Sequence, residues 1–371
     1  MRKIRTFLKI FLIIVIGFIV YIFMNIDTLV DQNDVDKVFE SDTDYLYNYE
    51  KLDEKDKTTY RYIYYTYKEL YGELSIPESD IDKVKKIAGY VMLDHPEFFY
   101  IDGSFEYYEG APNINFIPIY QYNKDEIKEY AKKIEASTKT VISEAMKEKD
   151  VIKRAKFLYD YVVENIEYKE NKKIDQNIIS SFIEKKTVCA GYARAYQYLL
   201  NHCGIKSSYV VGKASETVGS TNVGEGHAWV MVNIEDDFYY VDPTWADNVE
   251  EGMEHTCSGY FMMNSDEMLR CYMPEGNYEK TKNNQFNYFA DEKMYMDTYS
   301  ENIISHAIEK GIANKTRVAE VKCSTDALYK TVKRKLESDY LGYRVLSKNN
   351  VFGENSSYAC FDELRLIEIY Y

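Results

Sequence analysis

Three reactive side chains in this chain of 371 residues sit in distinctive local settings and follow one another in a suggestive order. Cys189 lies in Thr187-Val188-Cys189-Ala190-Gly191-Tyr192-Ala193-Arg194-Ala195-Tyr196. His227 lies in Gly226-His227-Ala228-Trp229, and Asp242 in Tyr240-Val241-Asp242-Pro243-Thr244-Trp245. A thiol, an imidazole and a carboxylate are the set that cysteine-nucleophile acyl transfer requires. The thiolate attacks a carbonyl, the histidine moves protons, and the acid orients the histidine. Each residue alone has a plainer reading: a buried core cysteine, a structural histidine at a strand start, and a turn aspartate before proline. Their conjunction, in this order, favours chemistry.

The elements around them are readable. Alanines follow Cys189 with high helix propensity, Thr187 stands where a cap belongs, and Gly204 stands where a C-terminal glycine belongs, predicting a helix over 189–202. A cysteine in the first turn faces unsatisfied N–H groups and the positive end of the helix dipole, which stabilise a thiolate and can hold an oxyanion. Strands are predicted over 207–211, 227–234 and 238–241. Alternation puts His227, Trp229 and Met231 on one face, and a hairpin turn at 235–237 brings Asp242 toward the His227 strand. The register is left open. Helices are expected over 152–166 and about 176–184, so helices precede strands in an α+β arrangement.

With these residues in view, the block Val188-Cys189-Ala190-Gly191-Tyr192-Ala193, then His227-Ala228-Trp229, then Tyr240-Val241-Asp242-Pro243-Thr244-Trp245 resembles the transglutaminase-like core of the papain-like cysteine fold, most of all its exported bacterial members. The resemblance spans about 176–265, including Gly204-Ile205, Val211-Gly212 and Gly259-Tyr260-Phe261-Met262. It implies Cys189 as nucleophile, His227 as general acid/base and Asp242 as orienting carboxylate. Trp229, Tyr192 and Trp245 would pack or rim the site. Many relatives carry Asn after His-Ala-Trp where this chain has Val230; alternation places that position on the face opposite His227. Gln176 is a candidate oxyanion donor, with a solvated helix face as the alternative.

The rest of the chain gives the setting. Basic residues Arg2, Lys3, Arg5 and Lys9 flank an apolar run, and residues 7–24 make about 18 residues, or roughly 27 Å of helix, enough to span a bilayer. No small-residue cleavage site follows, so the run reads as a signal anchor with residues 1–6 cytoplasmic and the remainder outside; a cleaved signal is the alternative. A buried helix in a cytoplasmic protein is a further alternative, disfavoured by the basic flank. Residues 25–48 read as a spacer and 49–150 as a mostly helical accessory domain, with helices over 52–74, 81–93 and 125–149. Residues 151–285 form the catalytic domain, and 286–371 a small α/β region with no assigned chemistry, built on strands 317–323 and 364–370 around a helix at 326–336.

Composition narrows the partners. The net charge is −15 and no basic stripe is interleaved with aromatics, which disfavours nucleic acid. Thirty-eight tyrosines against 17 phenylalanines read either as a polymer-facing surface or as compositional drift. The six cysteines are scattered without a disulfide framework. His202-Cys203 and His255-x-Cys257 lack regular zinc spacing, and Glu250, Glu251 and Glu254 lack the pattern of a calcium loop, so a solvated acidic loop is the plainer reading. The expectation is therefore an anchored, single-pass, extracytoplasmic enzyme acting on protein or peptide amides, cell-wall peptide among them. It needs no cofactor or metal. The alternative is a non-catalytic binding module of the same fold at the cell surface.

Overall fold

The computed structural model describes residues 30–42, 46–110, 112–170, 176–215, 224–247, 255–276, 278–338, 340–351 and 356–371. The expected anchor at 7–24, the cytoplasmic end, and Glu250, Glu251 and Glu254 lie outside the described residues. Among those described, no helix is long and apolar enough to cross a membrane. The chain divides into two compact units, up to Tyr130 and from Ala131 onward. The division falls inside one continuous helix rather than at residue 150, and residues beyond 285 belong to the same unit as the catalytic motifs.

The first unit contains α1 (Gln32–Asp42), α2 (Glu54–Lys68), β1 (Leu74–Ile76), α3 (Ile81–Asp94), β2 (Ile101–Gly110) and β3 (Asn113–Tyr120). Helix α1 occupies part of the expected spacer. It buries Val35 and Phe39, spaced i, i+4, with Val38 half-buried beside them and polar residues over the remainder. The expected mostly helical domain also holds an antiparallel sheet of order β1-β3-β2. Pro118 sits on the central strand opposite Phe105, beside the irregularity between Ile101 and Phe105, where an interrupted ladder tolerates a residue without an N–H.

Tyrosine is used here as a core residue. Tyr60, Tyr64 and Tyr67 on α2 are essentially fully buried. The Tyr60 hydroxyl donates to the buried Asp94 carboxylate at 2.9 Å, and the same carboxylate accepts the Asn48 and Tyr49 backbone N–H groups at 3.2 Å. The abundance of tyrosine thus has a packing explanation on this face, since the rings fill core volume and the Tyr60 hydroxyl finds a buried acceptor.

The helix α4 (Lys124–Ala145) runs across the division, and the second unit continues with α5 (Val151–Asn165), α6 (Cys189–His202), β4 (Ser207–Ala214), β5 (Glu225–Ile234), β6 (Asp237–Val241) and β7 (Tyr272–Pro274). After these come β8 (Tyr295–Met296), α7 (Glu301–Asn314), β9 (Val318–Cys323), α8 (Asp326–Ser338), α9 (Leu341–Lys348), β10 (Ser357–Phe361) and β11 (Leu366–Tyr370). Asp150 caps α5 by accepting the N–H groups of Ile152 and Lys153. That helix buries Ile152, Ala155, Leu158, Tyr159 and Val162, a 3.6-residue stripe, against α6. Removing the Ile152, Leu158 and Val162 side chains from water contributes roughly 1.5–3 kcal/mol each. The Tyr196 hydroxyl closes the contact by donating to the Ala155 carbonyl at 3.1 Å.

Two sheets follow. The first has order β6-β5-β4-β7, all antiparallel, with α6 packed on β4 and β5. The second has order β8-β9-β11-β10, antiparallel except for the β8–β9 pair. The C-terminal region thus contributes a four-stranded sheet, a larger element than the two expected strands.

Candidate active site

Helix α6 begins at Cys189, as the alanine-rich pattern predicts, and Gly204 at its far end takes φ 71°. Its N-terminus is built differently from the expectation. Val188 is the capping residue and supplies no side-chain bond, while Thr187 turns its hydroxyl to Ser180 Oγ at 2.7 Å. Ser181 in the preceding π-helical turn (Ser180–Glu184) donates to the Gly191 carbonyl at 2.8 Å. Gly191 explains the arrangement: a Cβ there would stand 1.9 Å from Thr187 Oγ1. The glycine lets the chain fold tightly back on itself and presents Cys189, half-buried, at the helix start.

His227 and Asp242 are brought together by the β5–β6 hairpin. Glu235 and Asp236 have φ of 51° and 62°, the paired positive values of a two-residue hairpin turn whose twist suits the strands. The turn sets Val230 opposite Val241, which brings Asp242, one residue on, alongside the Trp229–His227 end of β5. Val230 is fully buried, as is Trp229. Asp242 is held by its own N–H donating to the Tyr260 carbonyl at 3.0 Å, so the 259–262 segment fixes the carboxylate's height.

The carboxylate of Asp242 has no solvent exposure and serves four donors. Oδ1 accepts the backbone N–H groups of Thr244 at 2.9 Å and Trp245 at 3.3 Å. Oδ2 lies 2.7 Å from His227 Nε2 and accepts the Tyr272 hydroxyl at 2.7 Å. With Nε2 engaged, Nδ1 is the ring nitrogen left to the Cys189 side chain, which interacts with the imidazole. The aromatic rings of Trp245 and Tyr272, with centroids 5.2 and 6.0 Å from the imidazole, hold its plane. Burial alone would discharge the imidazole. The Asp242 charge and hydrogen bond, and then Cys189, overcome that cost and push His227 from 6.5 up to about 10.

This raised value has a signed consequence. A histidine that is protonated more readily folded than unfolded adds stability fully present below about 6.5, which is lost as pH rises through about 10. The stability difference between the wild-type chain and His227→Gln is therefore expected to shrink between pH 7 and pH 10. Urea midpoints of both proteins across that range measure it, and a constant difference would contradict the charged-histidine account.

Asp242 lies buried behind the imidazole, and Cys189 and His227 line a cleft of about 1000 Å³. Its walls include Tyr168, Glu225, Trp245, Asp247 and Tyr260, and, from the C-terminal region, Cys360, Phe361 and Glu363. Sequence reasoning found the three reactive residues but not Tyr272, which arrives from β7, nor the C-terminal wall. Tyr272 gave no local signal, since its partner is 30 residues away. The other candidates stand apart. Gln176 is exposed. His202 stacks on Tyr198 with centroids 4.0 Å apart and its Nδ1 is bonded to the Tyr198 carbonyl, so it packs its own helix. All six cysteines are free thiols, four of them buried.

Residues 138–243 match the transglutaminase-like superfamily. Among solved structures, the chain is similar to a TGase at 16% identity and TM-score 0.27, covering 51% of this chain and 54% of that one. It is also similar to a proposed cysteine protease from Cytophaga hutchinsonii at 15% identity and TM-score 0.26, covering 38% and 61%. The periplasmic domain of TgpA from Pseudomonas aeruginosa gives 16% identity and TM-score 0.26, covering 36% and 53%. The chain thus spans little more than half the length of these structures. No curated protein matches it significantly.

Proposed function

Starting from a transglutaminase-like domain at residues 138–243, we propose that this chain is a cysteine acyltransferase or amidohydrolase acting on protein or peptide amides through a thioacyl intermediate. The observation that carries the reading is the His227 ring set between the buried Asp242 carboxylate and the Cys189 thiol, at the wall of an open cleft. The Cys189 thiolate attacks the amide carbonyl, and N–H groups at the start of α6 face the developing oxyanion. His227, held as imidazolium by Asp242, gives its proton to the leaving amine as the C–N bond breaks. A thioester to Cys189 remains. His227 then takes a proton from the incoming water or amine, whose attack releases the acyl group and regenerates the thiolate.

The cleft favours an amine-bearing partner. Glu225, Asp247 and Glu363 line it, and no lysine or arginine is among its described lining residues. Such a wall attracts a protonated primary amine, in an acceptor or a neighbouring substrate side chain. The basic flank and apolar run of residues 1–24 support placing this chemistry outside the cytoplasm on a single-pass anchor. The test is to incubate the full chain in detergent with a glutamine-containing peptide and a labelled primary amine. Label transfer indicates acyl transfer, and peptide shortening or deamidation without label indicates hydrolysis. Neither product, with no thioester captured on Cys189, would make the chain a binding module instead.

A further inference from the structure

Away from the cleft, three side chains that the proposed reaction does not use converge within the second unit. Glu320 on β9 and Glu368 on β11 stand directly opposite each other across the antiparallel ladder. Both are buried, at 7% and 1% exposure. His255, from the segment that leads into Cys257, places Nε2 3.5 Å from Glu320 Oε1 and 3.6 Å from Glu368 Oε1. One ligating atom from each of the three lies within 4.8 Å of the other two.

Like charges opposed on adjacent strands repel, and burial makes each one harder to leave uncompensated. The neighbouring cations are already taken. Lys156 pairs with Asp160 at 2.6 Å, and Lys322 pairs with Glu267 at 3.3 Å. Ser258 N–H donates to Glu320 Oε1 at 2.7 Å, and the Tyr370 hydroxyl donates to Glu368 Oε2. Glu368 Oε1 and His255 Nε2 are buried and make no hydrogen bond. Their separation is too long for an N–H···O bond of about 2.7–3.2 Å. It is close to the spacing of two ligands on one tetrahedral ion, where bonds of about 2.0–2.1 Å put ligand atoms roughly 3.3–3.4 Å apart.

We propose that His255, Glu320 and Glu368 bind a divalent transition-metal ion of the zinc class. An imidazole with two carboxylates suits such an ion, whereas calcium and magnesium favour all-oxygen sets of higher coordination number. A neutral histidine and two carboxylates carry a charge that one divalent ion balances. The ion joins the 255–258 segment to the C-terminal sheet. Two residues on, Tyr260 accepts the Asp242 N–H and lines the cleft. The site is structural, and it steadies one wall of the reaction centre without touching it.

The test uses the full chain in detergent as Cys189→Ala/Cys360→Ala, which removes both half-buried cleft thiols as competing ligands, stripped with a chelator and dialysed. Titration with Zn²⁺ should give one ion per chain, and Co²⁺ should give the strong visible bands of four-coordinate cobalt. His255→Gln should weaken binding tenfold or more. Zn²⁺ should raise the melting temperature of the parent but not of His255→Gln, whose side chain is partly exposed and whose folding is checked by circular dichroism. Glu368→Gln should behave alike where it folds. Failure to bind either ion, or binding that His255→Gln leaves unchanged, would overturn the site and make His255 an imidazolium bridging two carboxylates.

Discussion

Cys189 should react with iodoacetamide at least tenfold faster than any of the other five cysteines at neutral pH. The basis is position and charge together. Cys189 is half-buried at a helix start, opens on the cleft, and has the charged His227 ring beside it. The other thiols are held neutral. Burial pushes Cys203 up and Cys257 well above the ordinary range, and it lifts Cys271 and Cys323 to about 12. Cys360 is the informative control because it also lines the cleft and is only half-buried, yet burial raises it too. Peptide mapping after short exposure to labelled reagent, at two pH values, measures all six at once. Changing His227 to Ala should bring Cys189 down toward Cys360. Equal, slow labelling across the six would remove the enzyme reading and leave the binding module.

What could be read from the sequence was what the chain encodes locally. Cys189, His227 and Asp242 each sit inside a short motif, and helix α6 and the β5–β6 hairpin follow from alanine runs, alternation and a turn of adjacent acidic residues. The register was fixed by something a sequence reading passes over: Glu235 and Asp236 both adopt positive φ, so the turn has two residues and Asp242 falls beside the end of β5 that carries His227. Long-range partners left no such trace. Tyr272 shares Oδ2 of Asp242 with His227, and the C-terminal wall of the cleft arrives more than a hundred residues after Asp242. His255 stood out in the sequence beside Cys257, but the side chains it faces are Glu320 and Glu368, unremarkable in their own strands until the ladder opposes them. The first unit erred in the opposite direction. Helical periodicity was strong in α2 and α3, and a proline on the central strand β3, which follows α3, hid the sheet.

Replacing Asp242 with alanine should be the most damaging single change in the second unit. The carboxylate is fully buried and both its oxygens are doubly used, so alanine strands the Thr244 and Trp245 N–H groups, the Tyr272 hydroxyl and the imidazolium of His227. Removing one partner of a buried ion pair costs about 3–5 kcal/mol. Asparagine separates the two roles of the carboxylate. It has a single acceptor oxygen, so it serves either the His227 and Tyr272 side or the turn at Thr244 and Trp245, and its amino group opposes donors on the other. The expected cost is about 1–3 kcal/mol, the penalty of unsatisfied buried donors. Where the oxygen faces His227, Asp242→Asn keeps the ring oriented and retains more of the Cys189 reactivity than alanine does, at lower stability than the wild type. Urea unfolding and the Cys189 alkylation rate, measured on both variants, give the order. An alanine variant as stable and as reactive as the wild type would mean that the turn, not the carboxylate, positions the histidine.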